Sequence, residues 1–339
     1  MFTLAQHIEK RMESFDSLAA AAPRQRLALL LAGGDGKRLQ ELTAQLTGVP
    51  IPKQYCPLLR GRSLLELTLS RTHYFAPPEN TRVVINKNHL AWAKAQLGVL
   101  PESNIFVQPE NRDTGPGILF ALAQMARTYP DATVAVFPTD HFVDDDRTFI
   151  AHVLRAACLV NRFPSKIAIL GVTPDHPETG YGYILPGQPL HSTLTPSRIC
   201  HVRAFTEKPS PIMAGEFISQ GGLWNTFVMV FQLKRMLELL RALAPRNSQK
   251  LFYLQGFPEE ISAIYQDIDP WNFSSQILAQ IPNELIVFEV PDVRWSDWGT
   301  RESIERTCRQ MKLVPAWRPL AQQSRPRFLS CQEEVFADH

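Results

Sequence analysis

"LAGGDGKRLQ", residues 31–40, ends an apolar run that begins at Leu27 and replaces it with three glycines, an acid and two adjacent cations. A buried-strand pattern followed at once by a glycine turn is how a parallel α/β sheet delivers a loop to its carboxyl rim, where such sheets bind ligands. Glycine lets backbone N–H groups approach an anion closely, and the Arg38 guanidinium offers a phosphate a permanently charged fork. Taken alone, the loop is explained equally well as a tight strand-to-helix turn with solvated cations. Two commoner phosphate loops do not fit it. A Walker loop requires glycine where Leu31 stands and Ser or Thr where Arg38 stands. A dinucleotide fingerprint starting at Gly34 would need glycine at Leu39.

Working outward, short apolar runs at 27–31, 82–85, 105–107, 133–137 and 166–172 read as strands. Helical patterns at 63–73, 89–97, 116–128 and 147–160 lie between them, so the expected architecture is a mostly parallel sheet covered on both faces. After residue 180 the segments "YGYILPG", "SRICHVRAFTEKP" and "WNTFVMVFQL" read as strands of an antiparallel or mixed insertion that carries the second half of the site. A strand at 284–290 leads into "PDVRWSDWGT" and a helix at 301–311. Residues 1–26 are expected to form a leader, 27–305 the catalytic domain, and 306–339 the end of the last helix and a surface tail.

With 339 residues, 45% of them hydrophobic, the chain can bury a large core. The formal charge of +2 and the absence of any long basic run argue against nucleic acid as a partner. No stretch approaches the ~18 apolar residues of a membrane helix, and the N-terminus lacks a signal-peptide pattern, so a cytoplasmic, membrane-free protein is expected. The five cysteines are scattered without a C-x-x-C pair and read as free thiols.

Fifteen residues beyond Arg38, "PIPKQY" holds Lys53 in a proline-rich, non-helical segment. "LAGGDGKRL" with "PKQY" resembles the signature of sugar-phosphate nucleotidyltransferases, and within them the mannose-1-phosphate guanylyltransferases. The blocks "QPENRDTGPGI" (108–118), "VFPTDHFV" (136–143), "PETGYGYI" (177–184), "FTEKP" (205–209), "LWNTFVMVF" (223–231) and "WSDWG" (295–299) follow in the family's order. The resemblance implies a Rossmann-like nucleotidyltransferase fold. It also implies an enzyme that joins a nucleoside triphosphate to a hexose 1-phosphate with release of pyrophosphate, using Mg2+. GTP and mannose 1-phosphate are the implied substrates, and a homodimer is compatible with it.

In that reaction the sugar phosphate is itself the nucleophile, so the protein must position two anions and neutralise charge at the α-phosphate. By the family's motif positions, Arg38 grips the triphosphate and Lys53 the reacting phosphates. Gly33, Gly34 and Gly36 supply backbone contacts, with Leu31, Ala32 and Lys37 in the same nucleotide-binding loop. Asp140 and Asp297 each follow a strand of the sheet, and the family holds magnesium with acids at these two positions. For the base, Gln108, Glu110, Asn111 and Thr114 offer polar edges and Gly115 allows close approach; a carboxylate such as Glu110 suits the N1–H and amine of guanine. Glu207 and Asn225 are expected to read sugar hydroxyls, Lys208 the sugar phosphate, and Gly180 to admit backbone against the ring. Tyr181 and Trp224 read as core aromatics.

The chain departs from the family pattern at Lys37, where a small hydroxyl residue is usual. It departs again at Asp113 with Gly115, Pro116 and Gly117, and at Asn225, Thr226 and Phe227 in place of Asn-Ser-Gly. The alternatives are the same reaction with another nucleotide or sugar, a non-catalytic nucleotide-sugar sensor, and a glycosyltransferase. The last is disfavoured by the glycine loop together with Lys53.

Overall fold

The computed structural model describes residues 24–59, 61–190, 198–252 and 258–318. The expected leader up to residue 23, the tail from 319 and Cys331 lie outside these residues. In chain order the regular elements are β1 (Arg26–Ala32), α1 (Gln40–Thr47), α2 (Leu64–Thr72), β2 (Thr81–Asn86), α3 (Leu90–Gln96), β3 (Ile105–Gln108), α4 (Thr114–Ala126), β4 (Thr133–Pro138), β5 (Phe142–Val143), α5 (Asp146–Arg162) and β6 (Ile167–Val172). They continue as β7 (Gly182–Pro189), β8 (Ile199–Glu207), α6 (Pro211–Ser219), β9 (Leu223–Gln232), α7 (Leu233–Leu243), α8 (Pro245–Phe252), α9 (Pro258–Gln266), α10 (Phe273–Gln276), β10 (Leu285–Glu289), β11 (Trp295–Ser296) and α11 (Arg301–Met311).

The run "RLALLLA" becomes β1 because it is apolar on both faces, which suits a strand covered by helices on each side. Leu27 and Leu29 face one core with Ile118, Leu119 and Leu122 of α4, while Ala28 and Leu30 face the other with Phe75 and Phe137. Each of these leucines is fully buried, a gain of about 1.5–3 kcal/mol apiece over exposure.

Strands β1, β2, β3 and β4 run parallel in the order β3-β2-β1-β4, as the alternating pattern predicts. The order turns back between β1 and β4, which opens a crevice beyond their carboxyl ends. Strands β7, β8 and β9 pair antiparallel, as their pattern predicts. They extend the same nine-stranded sheet, β3-β2-β1-β4-β9-β6-β10-β8-β7, with β9 inserted antiparallel between β4 and β6. Strand β9 is buried along nearly its whole length, so "LWNTFVMVFQ" belongs in the middle of a sheet. Among the described residues no helix is long and apolar enough to cross a membrane.

Candidate active site

The glycine loop leaves β1 at the crevice and is held from beneath by the "PKQY" turn. Gln54 Nε2 donates to the carbonyls of Ala32 (3.1 Å) and Gly34 (2.7 Å), and the Tyr55 hydroxyl donates to Ala32 (2.8 Å). Thr139, just beyond β4, donates its hydroxyl to the Leu31 carbonyl at 2.8 Å, locking the ends of β1 and β4 together. Gly36 has φ 59, the left-handed region that favours glycine. A Cβ there would lie 2.9 Å from the Lys53 backbone nitrogen, so glycine is what lets loop and lysine touch.

Two acidic turns meet opposite this loop. Asp140 precedes β5 and Asp297 follows β11, and the two short strands pair antiparallel, Ser296 against Phe142 and Trp295 against Val143. That ribbon is what brings acids 157 positions apart in sequence to one cleft. Trp298 is fully buried with φ 47 and stacks on Phe142 at 4.8 Å, so a strained backbone position is held by packing beside the Asp297 carboxylate. Beyond Gly299, Thr300 and Ser303 close a capping box that starts α11 and fixes the far end of the turn.

Lys53, 6% exposed, is the centre of the arrangement. Its ammonium sits 3.1 Å from Asp140 Oδ2, donates to the Asp297 carbonyl, and lies 3.3 Å from the Trp298 carbonyl. Burial disfavours the charge on Asp140, but Lys53 first and His141 next outweigh it and hold the carboxyl below its ordinary range. Burial pushes the neighbouring His141 downward. Arg38, largely exposed, reaches to 3.8 Å from Asp297 Oδ2. The cleft between Gly36, Lys37, Arg38 and Leu39 on one wall and Lys53, Asp140 and Gly299 on the other measures about 250 Å³. Lys37 is mostly in solvent, 4.0 Å from Asp35. Asp35 also accepts from Asn111 at 3.2 Å and lies 3.5 Å from His89, so the glycine loop is tied to the segment after β3.

That segment differs in detail from the expected base pocket. Gln108 is buried against Gly33 and Gly117, at whose Cβ positions its amide would clash or crowd, and it accepts from Tyr265 at 3.3 Å. Glu110 is paired with Arg112 (2.6 Å). The Thr114 hydroxyl accepts from Phe273 N–H (2.9 Å), and Gly115 donates its N–H to the Trp271 carbonyl (3.0 Å). Gly115 is required by the Trp271 ring, which a Cβ would enter to within 2.2 Å. Of this group, Glu110, Asn111 and Thr114 retain partial exposure. Asp113, at φ 69, caps α4 by accepting from Thr114 N–H.

On the other side of the cleft, Gly182 pairs across from Glu207, and a Cβ on it would lie 2.7 Å from the Glu207 carboxylate. Burial raises the Glu207 carboxyl against the opposing pull of Lys208 and Ser274, and Asp113 adds to the rise. Lys208, at φ 50, donates its N–H to the Tyr181 carbonyl at 3.1 Å. Asn225 lies where β9 bulges against β6, and its Oδ1 accepts from Phe227 N–H at 3.1 Å. Phe227 has φ 60, so the chain keeps a glycine-type backbone where it carries phenylalanine, while the Thr226 hydroxyl binds the Leu170 carbonyl at 2.8 Å. Gly180 donates its N–H to Glu178 at 2.9 Å.

Sequence reasoning missed the groups that hold these side chains: Gln54, Tyr55, Thr139, Trp271 and Ser274. It placed Tyr181 in the core, and the ring is indeed buried, but its hydroxyl donates to Asp297 Oδ1 at 2.9 Å. The glycines flanking Tyr181 in "TGYGYI" were the available signal. A larger cleft of about 500 Å³ opens at the amino-terminal ends of β2 and β3. There Arg82 donates to the Glu79 carbonyl (2.7 Å) and packs 5.3 Å from the Tyr129 ring, which is the packing of a sheet edge.

Two carboxylates facing one cleft fit a hard divalent cation that takes the rest of its oxygen ligands from phosphates and water, as magnesium does. Among the described residues no cluster of three or more His, Cys, Asp or Glu side chains is arranged to hold a metal by itself.

The chain is 34% identical over 223 residues to the xanthan biosynthesis protein XanB of Xanthomonas campestris pv. campestris (strain B100), covering 65% of this chain and 44% of that protein. It is 28% identical over 294 residues to a mannose-1-phosphate guanylyltransferase of Escherichia coli, covering 82% of this chain and 60% of that one. The chain thus spans about half the length of these curated relatives. A solved structure from Thermus thermophilus, described as a mannose-1-phosphate geranyltransferase, superposes with a TM-score of 0.72 at 29% identity, over 83% of this chain and 78% of that one. The family model described as nucleotidyl transferase matches residues 27–312, and the chain belongs to that family.

Proposed function

We propose that the protein transfers a nucleotidyl group from a nucleoside triphosphate to a hexose 1-phosphate, with GTP and mannose 1-phosphate as the pair and GDP-mannose and pyrophosphate as products. The observation that carries this reading is the convergence of Lys53, Asp140 and Asp297 beneath the Gly36–Arg38 side of the glycine loop. The names of the Escherichia coli relative and the Thermus structure favour mannose 1-phosphate.

An oxygen of the sugar phosphate attacks the α-phosphorus, the bond to the bridging oxygen of the β-phosphate breaks, and pyrophosphate leaves with that electron pair. Neither step needs a side-chain nucleophile. Lys53 brings a fixed positive charge to the cleft, held in place by Asp140 and two backbone carbonyls, so it costs no reorganisation as charge develops. Arg38, largely exposed, would exchange its 3.8 Å contact with Asp297 for the triphosphate. Asp140 and Asp297 would hold Mg2+, which supplies Lewis-acid charge at the phosphates when bound. Glu207 and Asn225 face the sugar side, where Gly182 keeps room beside them.

Pyrophosphate release across a panel of triphosphates and sugar 1-phosphates tests the proposal. Turnover should be greatest with GTP and mannose 1-phosphate and should vanish with EDTA. Activity confined to another pair would change the substrates, and binding without turnover anywhere in the panel would make the protein a sensor.

A further inference from the structure

The aromatic cluster behind the cleft contains one polar contact that the proposed reaction does not yet use. Tyr181 stands between the two halves of the site. Its backbone carbonyl accepts from Lys208 N–H at 3.1 Å, in the turn that follows Glu207. Its hydroxyl donates to Asp297 Oδ1 at 2.9 Å, and Gly299 N–H donates to the same oxygen at 2.7 Å. Two donors on Oδ1 fix the rotation of the carboxylate and turn Oδ2 toward Arg38. The phenol ring itself is fixed edge-on between Trp224 (5.0 Å) and Trp295 (5.2 Å), and Trp295 in turn meets His141 beside Asp140 (5.0 Å). One residue therefore joins the Glu207–Lys208 turn to one acid directly, and to the neighbourhood of the other through packed rings.

We propose that Tyr181 is a positioning residue that aims the Asp297 carboxylate and couples the sugar-phosphate side of the cleft to divalent-cation binding. The inference rests on the metal-pair reading above. Hydrogen-bond partners that orient a ligating carboxylate contribute about 10–100-fold to metal affinity or activity. Coupling between two sites must also be reciprocal: a sugar phosphate that orders the Lys208 turn strengthens cation binding, and the cation strengthens sugar-phosphate binding by the same factor.

The test is Tyr181→Phe, which keeps the ring between the two tryptophans and removes only the hydroxyl. Mn2+ titrated into each protein alone, followed by the electron paramagnetic resonance of the free ion, should bind about tenfold more weakly to the variant. The melting temperature should stay near wild type, since the packing is retained. Adding mannose 1-phosphate should tighten Mn2+ binding in the wild type and leave the variant unchanged. In turnover, the apparent KM for Mg2+ should rise, with the sugar-phosphate KM at saturating metal little altered. Equal Mn2+ affinity in the two proteins overturns the role of Tyr181 and leaves the metal pair standing. A metal defect accompanied by a proportionate loss of melting temperature assigns the residue to structure and also overturns it. Wild type that binds no Mn2+ overturns both readings.

Discussion

Gly36→Ala is the substitution for which the geometry makes the sharpest demand. Gly36 occupies the left-handed region at φ 59 and ψ 29, where an alanine costs roughly 1–2 kcal/mol. Its Cβ would also stand 2.9 Å from the Lys53 backbone nitrogen and 3.3 Å from Pro52 Cα. Both are backbone atoms that no side-chain rotation can clear, so a further ~1–3 kcal/mol of overpacking follows. In a domain of this size a total of ~2–5 kcal/mol lowers the melting temperature by roughly 3–8 °C. If the chain relieves the contact by shifting the "PKQY" turn, Lys53 leaves its 3.1 Å position against Asp140, and a displacement of ~1 Å at a reacting centre costs about 100-fold in rate. Thermal denaturation and pyrophosphate-release kinetics on the same preparations measure the two consequences. Gly34→Ala is the control, because its Cβ meets nothing within 4 Å; its melting temperature should match wild type even if the methyl group obstructs the anion. A Gly36→Ala protein with wild-type melting temperature and a rate within about twofold of wild type would refute the packing argument.

Lys53→Met should keep the fold while lowering kcat by about 10²–10³-fold, the scale of removing one preorganised charge from a reaction centre, as read by initial rates at saturating substrates. Gly115→Ala should destabilise by about 1–3 kcal/mol, because its Cβ falls inside the Trp271 ring at 2.2 Å, and a denaturant midpoint will show it. Burial, with Arg155 adding, holds the His152 imidazole down to about 4. The unfolded chain therefore takes up the proton first, so stability is complete above pH ~6.5 and falls as the pH drops toward 4. At pH 5 the loss from this residue is about 2 kcal/mol, and His152→Asn should show that much less loss between pH 7.5 and pH 5 in denaturant titrations.

The elements that were legible in the sequence are those whose pattern is local. The run at residues 27–31 could be nothing but a buried strand, and "GGDG" could only be a turn. Strand β9 was legible as a strand, but its place in the middle of the sheet was not, because antiparallel insertion between β4 and β6 depends on pairing with residues about 50 to 100 positions away. The helices between β9 and β10 escaped notice for a related reason. α8 is a short, polar helix in which only Ser248 and Leu251 are buried, too few apolar residues to stand out. At the site, charged residues were legible and their supports were not. Arg38, Lys53, Asp140 and Asp297 advertise themselves by residue type, whereas Gln54, Thr139 and Trp271 act through single contacts that only the assembled fold creates. Phe227 shows the limit from the other direction. Phenylalanine stands where the family pattern has glycine, and the chain still holds φ 60 there, with the ring 6.4 Å from that of Phe273.

The charges around the cleft explain why so cationic a loop carries an acid. Lys37, Arg38 and Lys53 stand against Asp35, Asp140 and Asp297, and each cation lies within 4.0 Å of one of those acids. The described walls are therefore close to neutral, and the extra cation at Lys37 is matched by Asp35 four ångströms away rather than added to the field. Two strongly anionic substrates entering such a cleft would meet little net attraction from side chains alone, since exposed pairs at this separation are worth ~1 kcal/mol or less. Attraction has to come either from an accompanying divalent cation, which the Asp140 and Asp297 carboxylates can accept, or from breaking the resident pairs so that Arg38 and Lys53 turn to phosphate. Both routes require Asp140 and Asp297 to give up a lysine or arginine partner. On this reasoning the ion pairs of the free protein are placeholders that a bound metal ion displaces. Asp140→Asn and Asp297→Asn should each leave nucleotide binding in EDTA nearly intact and abolish the gain in affinity that Mg2+ confers. Equal Mg2+-dependent gains in the variants and wild type, measured by calorimetry, would show that the cation binds elsewhere.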